Sequence, residues 1–576
     1  MKRMNFFPII FLLLSVASCK KSSTGGGGGN NPPGGGPPAP PSDPAVENTI
    51  GFFLDPWQPK NYTVSAYTDT AVPSAAANTF VTIDASKIIT KVPTSVFGQN
   101  ANIWMTQMVT EPVLMNHLKN LTPNIIRFPG GSLSDMYFWN APNNQKPADA
   151  PANLLNADGV ASAAGYWFGK NTDSWTMSVD NYYNMLQQTG NQGLITVNYG
   201  YARYGTGPNP VAQAAHLAAD WVRYDNGRTK YWEIGNECNG VWEAGYRINT
   251  STNQDGQPAI VTGALYGQHA KVFIDSMRKA AQEIGKTIYI GAYLLEKEPE
   301  SWQTATDKSW NSGVLTQIAN KADYYVIHSY YTPYQQNSSA DVILATASDN
   351  TTAMMSYVKQ SITNTGSAIK PIALDEWNIT SQGSMQQVSY INGMHAAILL
   401  GEAIKNKYGM TSRWDLANAW ENGNDHGLFN IGDEPGVSKW NPRPAFYYMY
   451  YFQKMMGDRM LPATIIGSNS LLAYASSFTS GEKAVVIVNK SNTADITLVR
   501  LDSAKAGSRF YWYTLTGGTD NGEFSRKVFV NGHGSTEISG GPASEYTTIK
   551  PYSASTAAGI KVGVPARSVV YLVIDK

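Results

Sequence analysis

Between residues 91 and 458, short apolar runs alternate with longer stretches of helical period. The runs fall at 95–98, 124–128, 194–198, 230–236, 287–291, 323–328, 371–376 and 416–420. Several are separated by segments whose apolar positions recur every three to four residues, as in 211–224, 265–284 and 389–405. Continuous apolar strands belong to parallel sheets buried on both faces, and eight strand–helix units predict a closed (β/α)8 TIM barrel. After residue 458 the helical period stops. Runs of period two at 471–475, 483–489, 496–501, 510–515 and 568–574, set off by Gly, Asn and Ser, predict an all-β sandwich over 459–576. One more alternating run, 79–84, precedes the barrel and is expected to join that sandwich. Residues 47–90 therefore form an N-terminal strand region, within which 47–77 suits either an extra sandwich strand or a wrap-around loop.

The N-terminus has a different pattern. Lys2 and Arg3 precede an apolar run over 6–14, and small residues lead to Cys19. The run is too short to span a bilayer, so residues 1–18 read as a signal peptide. Small residues before a cysteine resemble a bacterial lipoprotein signal, which makes Cys19 the lipidation site and a lipid anchor the expected membrane contact. Residues 19–46 are Gly, Pro, Ser and Asn with almost no apolar content, the composition of a flexible tether. The expected location is the bacterial cell envelope, at the outer membrane, on its periplasmic side or at the cell surface. The second cysteine, Cys238, then has no disulfide partner and reads as a small packing residue.

Formal net charge is zero, which argues against a nucleic-acid partner, since that would call for a basic excess. Charged residues are only 15% of the chain while 33 Tyr and 15 Trp are present. Aromatic faces with abundant amides suit a neutral, polyhydroxylated ligand, although burial accounts for most single aromatics. No cluster has metal-ligand spacing and no Gly-rich phosphate loop follows a strand, so neither metal nor cofactor is expected.

A barrel of this type gathers its active site at the C-terminal strand ends. Arg127, Asn198, Asn236, Glu237, His328, Glu376 and Trp420 all fall at or just past those ends. Glu237 closes Tyr231-Trp232-Glu233-Ile234-Gly235-Asn236-Glu237, and Glu376 lies in Pro371-Ile372-Ala373-Leu374-Asp375-Glu376-Trp377-Asn378. Two carboxyl groups facing each other across a sugar are what glycosidic cleavage needs. By strand parity Asp375 is expected to point away from Glu376, and Glu233 to lie deeper in an ion pair.

With Ile126-Arg127-Phe128-Pro129-Gly130-Gly131, Ile195-Thr196-Val197-Asn198-Tyr199-Gly200, Gly240-Val241-Trp242 and His328-Ser329-Tyr330, these segments resemble the clan A glycoside hydrolases. Within the clan the chain over 78–576 is most similar to family 51, the α-L-arabinofuranosidases. The resemblance implies a retaining enzyme with Glu237 as general acid/base and Glu376 as nucleophile. Glu237 is then expected to rest protonated near Trp242, with Arg127 holding Glu376 ionised. Asn236 would hydrogen-bond the sugar 2-hydroxyl. His328 and Tyr330 would position the glutamates, and Asn198 and Trp420 would line the mouth. Asp425-His426 reads as a loop or subsite pair.

The substrate is less defined. Ile379 and Thr380 stand where family 51 often carries another aromatic, and 441–448 looks as much like endo-acting relatives. The connection from 128 to 193 is long and holds Trp139, Trp167 and Trp175, which would suit an extended cleft or a closed pocket. An arabinofuranosidase-like hydrolase of polysaccharide or oligosaccharide is the leading reading. An endo-β-glycanase (glucanase, xylanase or galactan/agar-type) is the alternative, and a non-catalytic carbohydrate-binding lipoprotein a distant one.

Overall fold

A computed structural model describes residues 41–122, 124–318 and 320–576. The expected signal peptide, Cys19 and the expected tether as far as residue 40 lie outside the described residues.

Eight parallel strands close into a barrel: β1 (Gly98–Asn100), β2 (Ile125–Phe128), β3 (Gln192–Val197), β4 (Tyr231–Ile234), β5 (Tyr289–Tyr293), β6 (Tyr324–Tyr330), β7 (Ile372–Asn378) and β8 (Met410–Arg413). Helices follow them in turn, the longest being Gly263–Glu283 and Ala340–Asn364. Their starts are set by local chemistry. Ser178, Thr262, Ser339 and Ser389 each accept a hydrogen bond from the backbone N–H three residues on, and Pro112, Pro210 and Pro444 open three others. The expected (β/α)8 barrel is therefore what the chain forms.

Two strands differ from the sequence reading. Residues 94–97 form a 3₁₀ turn, and β1 begins only at Gly98. There a Cβ would sit 2.3 Å from Ser412 Oγ and 2.4 Å from the Thr411 carbonyl oxygen, so glycine permits the β1–β8 approach. The eighth strand is Met410–Arg413 and not 416–420. Three of its four buried side chains are polar, among them Thr411, whose Oγ1 donates to Val96 O at 2.6 Å, so an apolar-run criterion passes over it. Of 416–420, only Ala417–Asn418 is extended, paired with Phe429–Asn430 outside the barrel.

The C-terminal part is two packed sheets. Thr79–Asp84 lies between Ala463–Ile466 (antiparallel) and Asp495–Asp502 (parallel) in a four-stranded sheet with Ile560–Val564. The facing nine-stranded sheet contains Lys483–Asn489, Arg509–Gly517 and Ser568–Ile574. Val81, Ile83, Ile487, Val499, Val562 and Leu572 fill the space between. The outer face of the larger sheet leans on the last barrel helix, Pro444–Met455, where Tyr571 Oη donates to Tyr448 O at 2.8 Å.

Residues 47–77 do two jobs. Phe52 and Phe53 plug the floor of the barrel: Phe52 stacks on Tyr289 at 3.7 Å, and Phe53 packs on Tyr231 and Tyr324. Farther on, Thr68–Asp69 pairs in parallel with the sandwich at Tyr552–Ser553. The segment is thus a strap under the barrel that ends as a sandwich edge.

Candidate active site

The turn after β4 presents the first glutamate. Gly235 has φ +69°, and a Cβ there would meet Cys238 Sγ at 2.4 Å and Tyr199 Cβ at 2.6 Å. Glu237 itself has φ +41°, a left-handed conformation uncommon for a side-chain-bearing residue and one that tends to cluster at functional sites. Asp135 holds the turn from beneath. Its carboxylate accepts the backbone N–H groups of Tyr199 and Gly200 at 3.0 Å each and of Asn236 at 3.2 Å.

The second glutamate lies beside a bulge. Between β6 and β7 the register passes from Ile327↔Leu374 to His328↔Glu376, leaving Asp375 as the extra residue. A bulge breaks strand alternation. Asp375 therefore does not point away, as parity suggested: it is buried, with Oδ2 3.6 Å from Arg127 Nε and Oδ1 3.2 Å from His328 Nε2.

Arg127 is the hub, fully buried at the end of β2. It spends all five N–H donors: two on Glu233 (3.0 and 2.5 Å), and one each on Asn100 Oδ1 (3.0 Å), Glu376 Oε2 (3.0 Å) and Asn236 Oδ1 (2.8 Å). Glu233 accordingly sits deep in an ion pair. Tyr330 Oη donates to Glu376 Oε1 at 2.8 Å, and Trp242 Nε1 donates to Glu237 Oε2 at 3.2 Å. His328 bridges the two sides, with Nδ1 3.0 Å from Glu237 Oε1 and 3.8 Å from Glu376 Oε2. One oxygen of each glutamate and one His328 nitrogen all lie within 4.8 Å of one another.

Protons in this cluster are governed by burial against charge. Burial disfavours an imidazolium at His328, but Glu376, Asp375 and Glu237 outweigh it and raise the group well above its ordinary value. Burial raises the Glu237 carboxyl too, yet the hydrogen bond and charge of His328 prevail and leave it below the usual range. At Glu376 burial, reinforced by Glu237, prevails over His328, Arg127 and Tyr330, and the carboxyl is raised. These directions favour the proton on His328, one 3.0 Å bond from Glu237, where the sequence reading expected it on Glu237. The direct His328 contact is stronger than the effect expected from Trp242.

Other expected residues take different places. Asn198 is committed to the fold: Nδ2 donates to Tyr137 O and Tyr204 Oη, and Oδ1 accepts the Tyr201 N–H. Trp420 lies beyond β8 between the guanidinium groups of Arg443 and Arg526, outside the glutamate network. Trp139 is core, stacked on Trp221, while Trp104, Trp167 and Trp175 form a row with ring spacings of 6.5 and 6.1 Å. Asp425 pairs with Arg443 at 2.6 Å, and the half-buried His426 ring lies 5.4 Å from the Tyr330 ring. Cys238 is buried, and burial pushes its thiol up.

Sequence reasoning missed Asn100, Asp135 and Glu243. Asn100 Nδ2 ties Asp375 O to the end of β8. Glu243 Oε1 accepts from Asn236 Nδ2 (3.0 Å) and Ser132 Oγ (2.7 Å) and so orients the Asn236 amide. Placing β1 two residues later would have exposed Asn100 as a strand-end polar group. Nothing local marks the other two.

Two triads have ligand types that bind cations, Glu233–His328–Asp375 and Glu237–His328–Glu376. Both share His328, and the Arg127 guanidinium already lies against their carboxylates.

Fold and site together give a (β/α)8 barrel with two carboxylates, Glu237 and Glu376, facing each other at its mouth, the arrangement of glycoside hydrolases. No family model matches the chain. Over 304 residues it is 23% identical to the intracellular exo-α-(1→5)-L-arabinofuranosidase of Streptomyces lividans, covering 49% of this chain and 40% of that protein. The chain thus spans less than half the length of that relative. The α-L-arabinofuranosidase of Thermotoga maritima, solved with arabinose, superposes with a TM-score of 0.59 at 15% identity over 86% of this chain and all of that one. A bifunctional glucanase-xylanase from a metagenome library, CelM2, superposes with a TM-score of 0.56 at 13% identity over 86% and 99%.

Proposed function

We propose that the protein is a retaining glycoside hydrolase, α-L-arabinofuranosidase-like, acting on oligosaccharide or polysaccharide by double displacement. The carrying observation is that one oxygen of Glu237 and one of Glu376 lie within 4.8 Å, which favours the closer carboxyl separation of a retaining pair over the wider one of an inverting pair. Glu376, braced by Arg127 and Tyr330, attacks the anomeric carbon. The bond to the leaving oxygen breaks, and that oxygen takes the proton that Glu237 relays from His328 across their 3.0 Å bond, leaving Glu237 ionised and His328 neutral. The attack turns Glu376 into an uncharged ester, which removes part of what held the proton on His328. Water then attacks the glycosyl ester, gives its proton to Glu237 and through it to His328, and frees Glu376. Asn236, fixed between Arg127 and Glu243, is placed to bond the sugar 2-hydroxyl.

The test is hydrolysis of aryl arabinofuranosides, glucosides, xylosides and galactosides by wild type, Glu376→Gln and Glu237→Gln, with the first-formed anomer followed by NMR. Glu376→Gln should lose at least about 10³-fold on the substrate that wild type cleaves. An inverted product, or an unimpaired Glu376→Gln, refutes the reading. An endo-β-glycanase is the second reading, favoured by the Trp104–Trp167–Trp175 row, with Trp175 49% exposed. A ladder of oligosaccharide products in place of monosaccharide would select it.

Attachment to the envelope through lipidated Cys19 completes the proposal, on the strength of the signal pattern ahead of it. No described helix is long and apolar enough to cross a membrane. Cys19→Ser should move the protein from the membrane fraction to the soluble one; if it stays with membranes, the anchor is elsewhere.

A further inference from the structure

The loop after β5, residues 294–304, presents Trp302 with 81% of its surface exposed, more than any other large hydrophobic side chain described. Singly exposed apolar residues are common, but an uncovered tryptophan forfeits much burial free energy. This one is not on a loose loop. Upstream, Leu295 exchanges two hydrogen bonds with the Asn311 side chain (2.7 and 2.9 Å). At the crest, Gln303 Oε1 accepts the Glu300 N–H at 2.7 Å and the Gln303 N–H reaches Glu300 O at 3.0 Å. Downstream, Thr304 is pinned to Asp307 by its N–H and its hydroxyl, at 3.1 and 2.7 Å. A braced turn thus carries a bare indole.

Its location gives the bareness meaning. Asp307 also accepts Asn239 Nδ2 at 2.7 Å, which sews this loop to the one after β4. That neighbouring loop holds Glu237 and Trp242, the second most exposed tryptophan at 65%, whose indole N–H is bonded to Glu237. Glu296, half-buried at the start of the β5 loop, is near enough to feel the charges of Glu237 and His328. The two barest indoles described and a further carboxylate therefore share the rim sector on the Glu237 side.

In a glycosidase the general acid stands on the leaving-group side of the cleaved bond. We infer that the β4 and β5 loops form a leaving-group subsite for an uncharged saccharide chain, with Trp242 and Trp302 stacking on successive sugar faces and Glu296 accepting their hydroxyls. The direction of the chain rests on the hydrolase reading above; the binding surface does not. The substrate is then a saccharide extending several units past the scissile bond, whether its terminal or an internal linkage is cut.

The test uses the full chain carrying Glu376→Gln, so that ligand survives, titrated calorimetrically with arabinopentaose, xylopentaose and cellopentaose. At least one should bind. Adding Trp302→Ala should weaken it about tenfold, equivalent to about 1.4 kcal/mol, and Trp302→Phe should recover most of the loss. Unchanged affinity with Trp302→Ala overturns the inference. So does failure of all three pentaoses to bind while wild type cleaves aryl glycosides. Trp302-dependent binding by a protein that cleaves no glycoside keeps the subsite and discards the hydrolase reading.

Discussion

Replacing Arg127 with lysine keeps one positive charge at the centre of the cluster and removes its shape. The guanidinium makes five hydrogen bonds to four residues, whereas an ammonium has three donors on a compact head. At least two of the five must go. Hydrogen bonds to charged groups are worth about 1.5–3 kcal/mol each, so the loss is about 3–6 kcal/mol if nothing relaxes. Because the charge remains, the larger penalty of an uncompensated buried carboxylate is partly avoided. Urea denaturation should show a lower midpoint at unchanged slope. Catalysis should suffer separately, because Glu376 and Asn236 lose a common anchor: kcat/KM should fall about 10²-fold, as for other misplacements of reacting groups. A variant within 0.5 kcal/mol of wild type in stability and within about threefold in kcat/KM would refute the view of Arg127 as organiser.

Tyr330→Phe removes a donor that lowers the Glu376 carboxyl, so the acid limb of kcat/KM should move to higher pH and the plateau fall about 10–100-fold. An unmoved limb would take Tyr330 out of the nucleophile's control. Glu243→Ala frees the Asn236 amide and should lower kcat/KM about tenfold, while Glu243→Gln retains the accepting oxygen and most of the activity; equal losses would mean Glu243 acts by charge and not by orientation. Burial pushes the Asp135 carboxyl up to about 7 against its three backbone donors. A group raised on folding stabilises fully below its ordinary value, and that contribution is lost as pH rises through the folded value. Wild-type stability should therefore fall by up to about 1.4 kcal/mol per pH unit between about 4 and 7, and Asp135→Asn should flatten that slope in urea titrations at several pH values. A variant with the wild-type slope would place the effect elsewhere.

The parts of the site legible in the sequence are those announced by a strand's own residues. Tyr231, Trp232, Ile234 and Ile372–Leu374 are apolar and buried, so the glutamates following them stood out as strand-end groups. Asp375 misled because a bulge is a property of pairing: the slip of one residue against β6 depends on a neighbour 47 to 48 positions away, while the local alternation looks regular. β8 was misplaced because its buried side chains include Thr411, Ser412 and Arg413, polar residues that leave no apolar run to mark the strand. Asp135 and Glu243 serve the site through backbone amides and a side-chain amide, contacts that exist only once the loops have met. The strap at 47–77 was ambiguous between two roles because it fills both in succession.

Thr79–Asp84 sits between two strands that enter the chain only at Ala463 and Asp495. During synthesis at about 5–20 residues per second, the nearer partner emerges about 20–75 s later, after the whole barrel has been made. For that interval both edges of a six-residue, β-branched strand are open to any passing chain, a familiar template for misassembly. The sandwich that completes the molecule is thus its slowest commitment, and yields of folded protein should respond to translation rate and to chaperones more than the barrel alone would require.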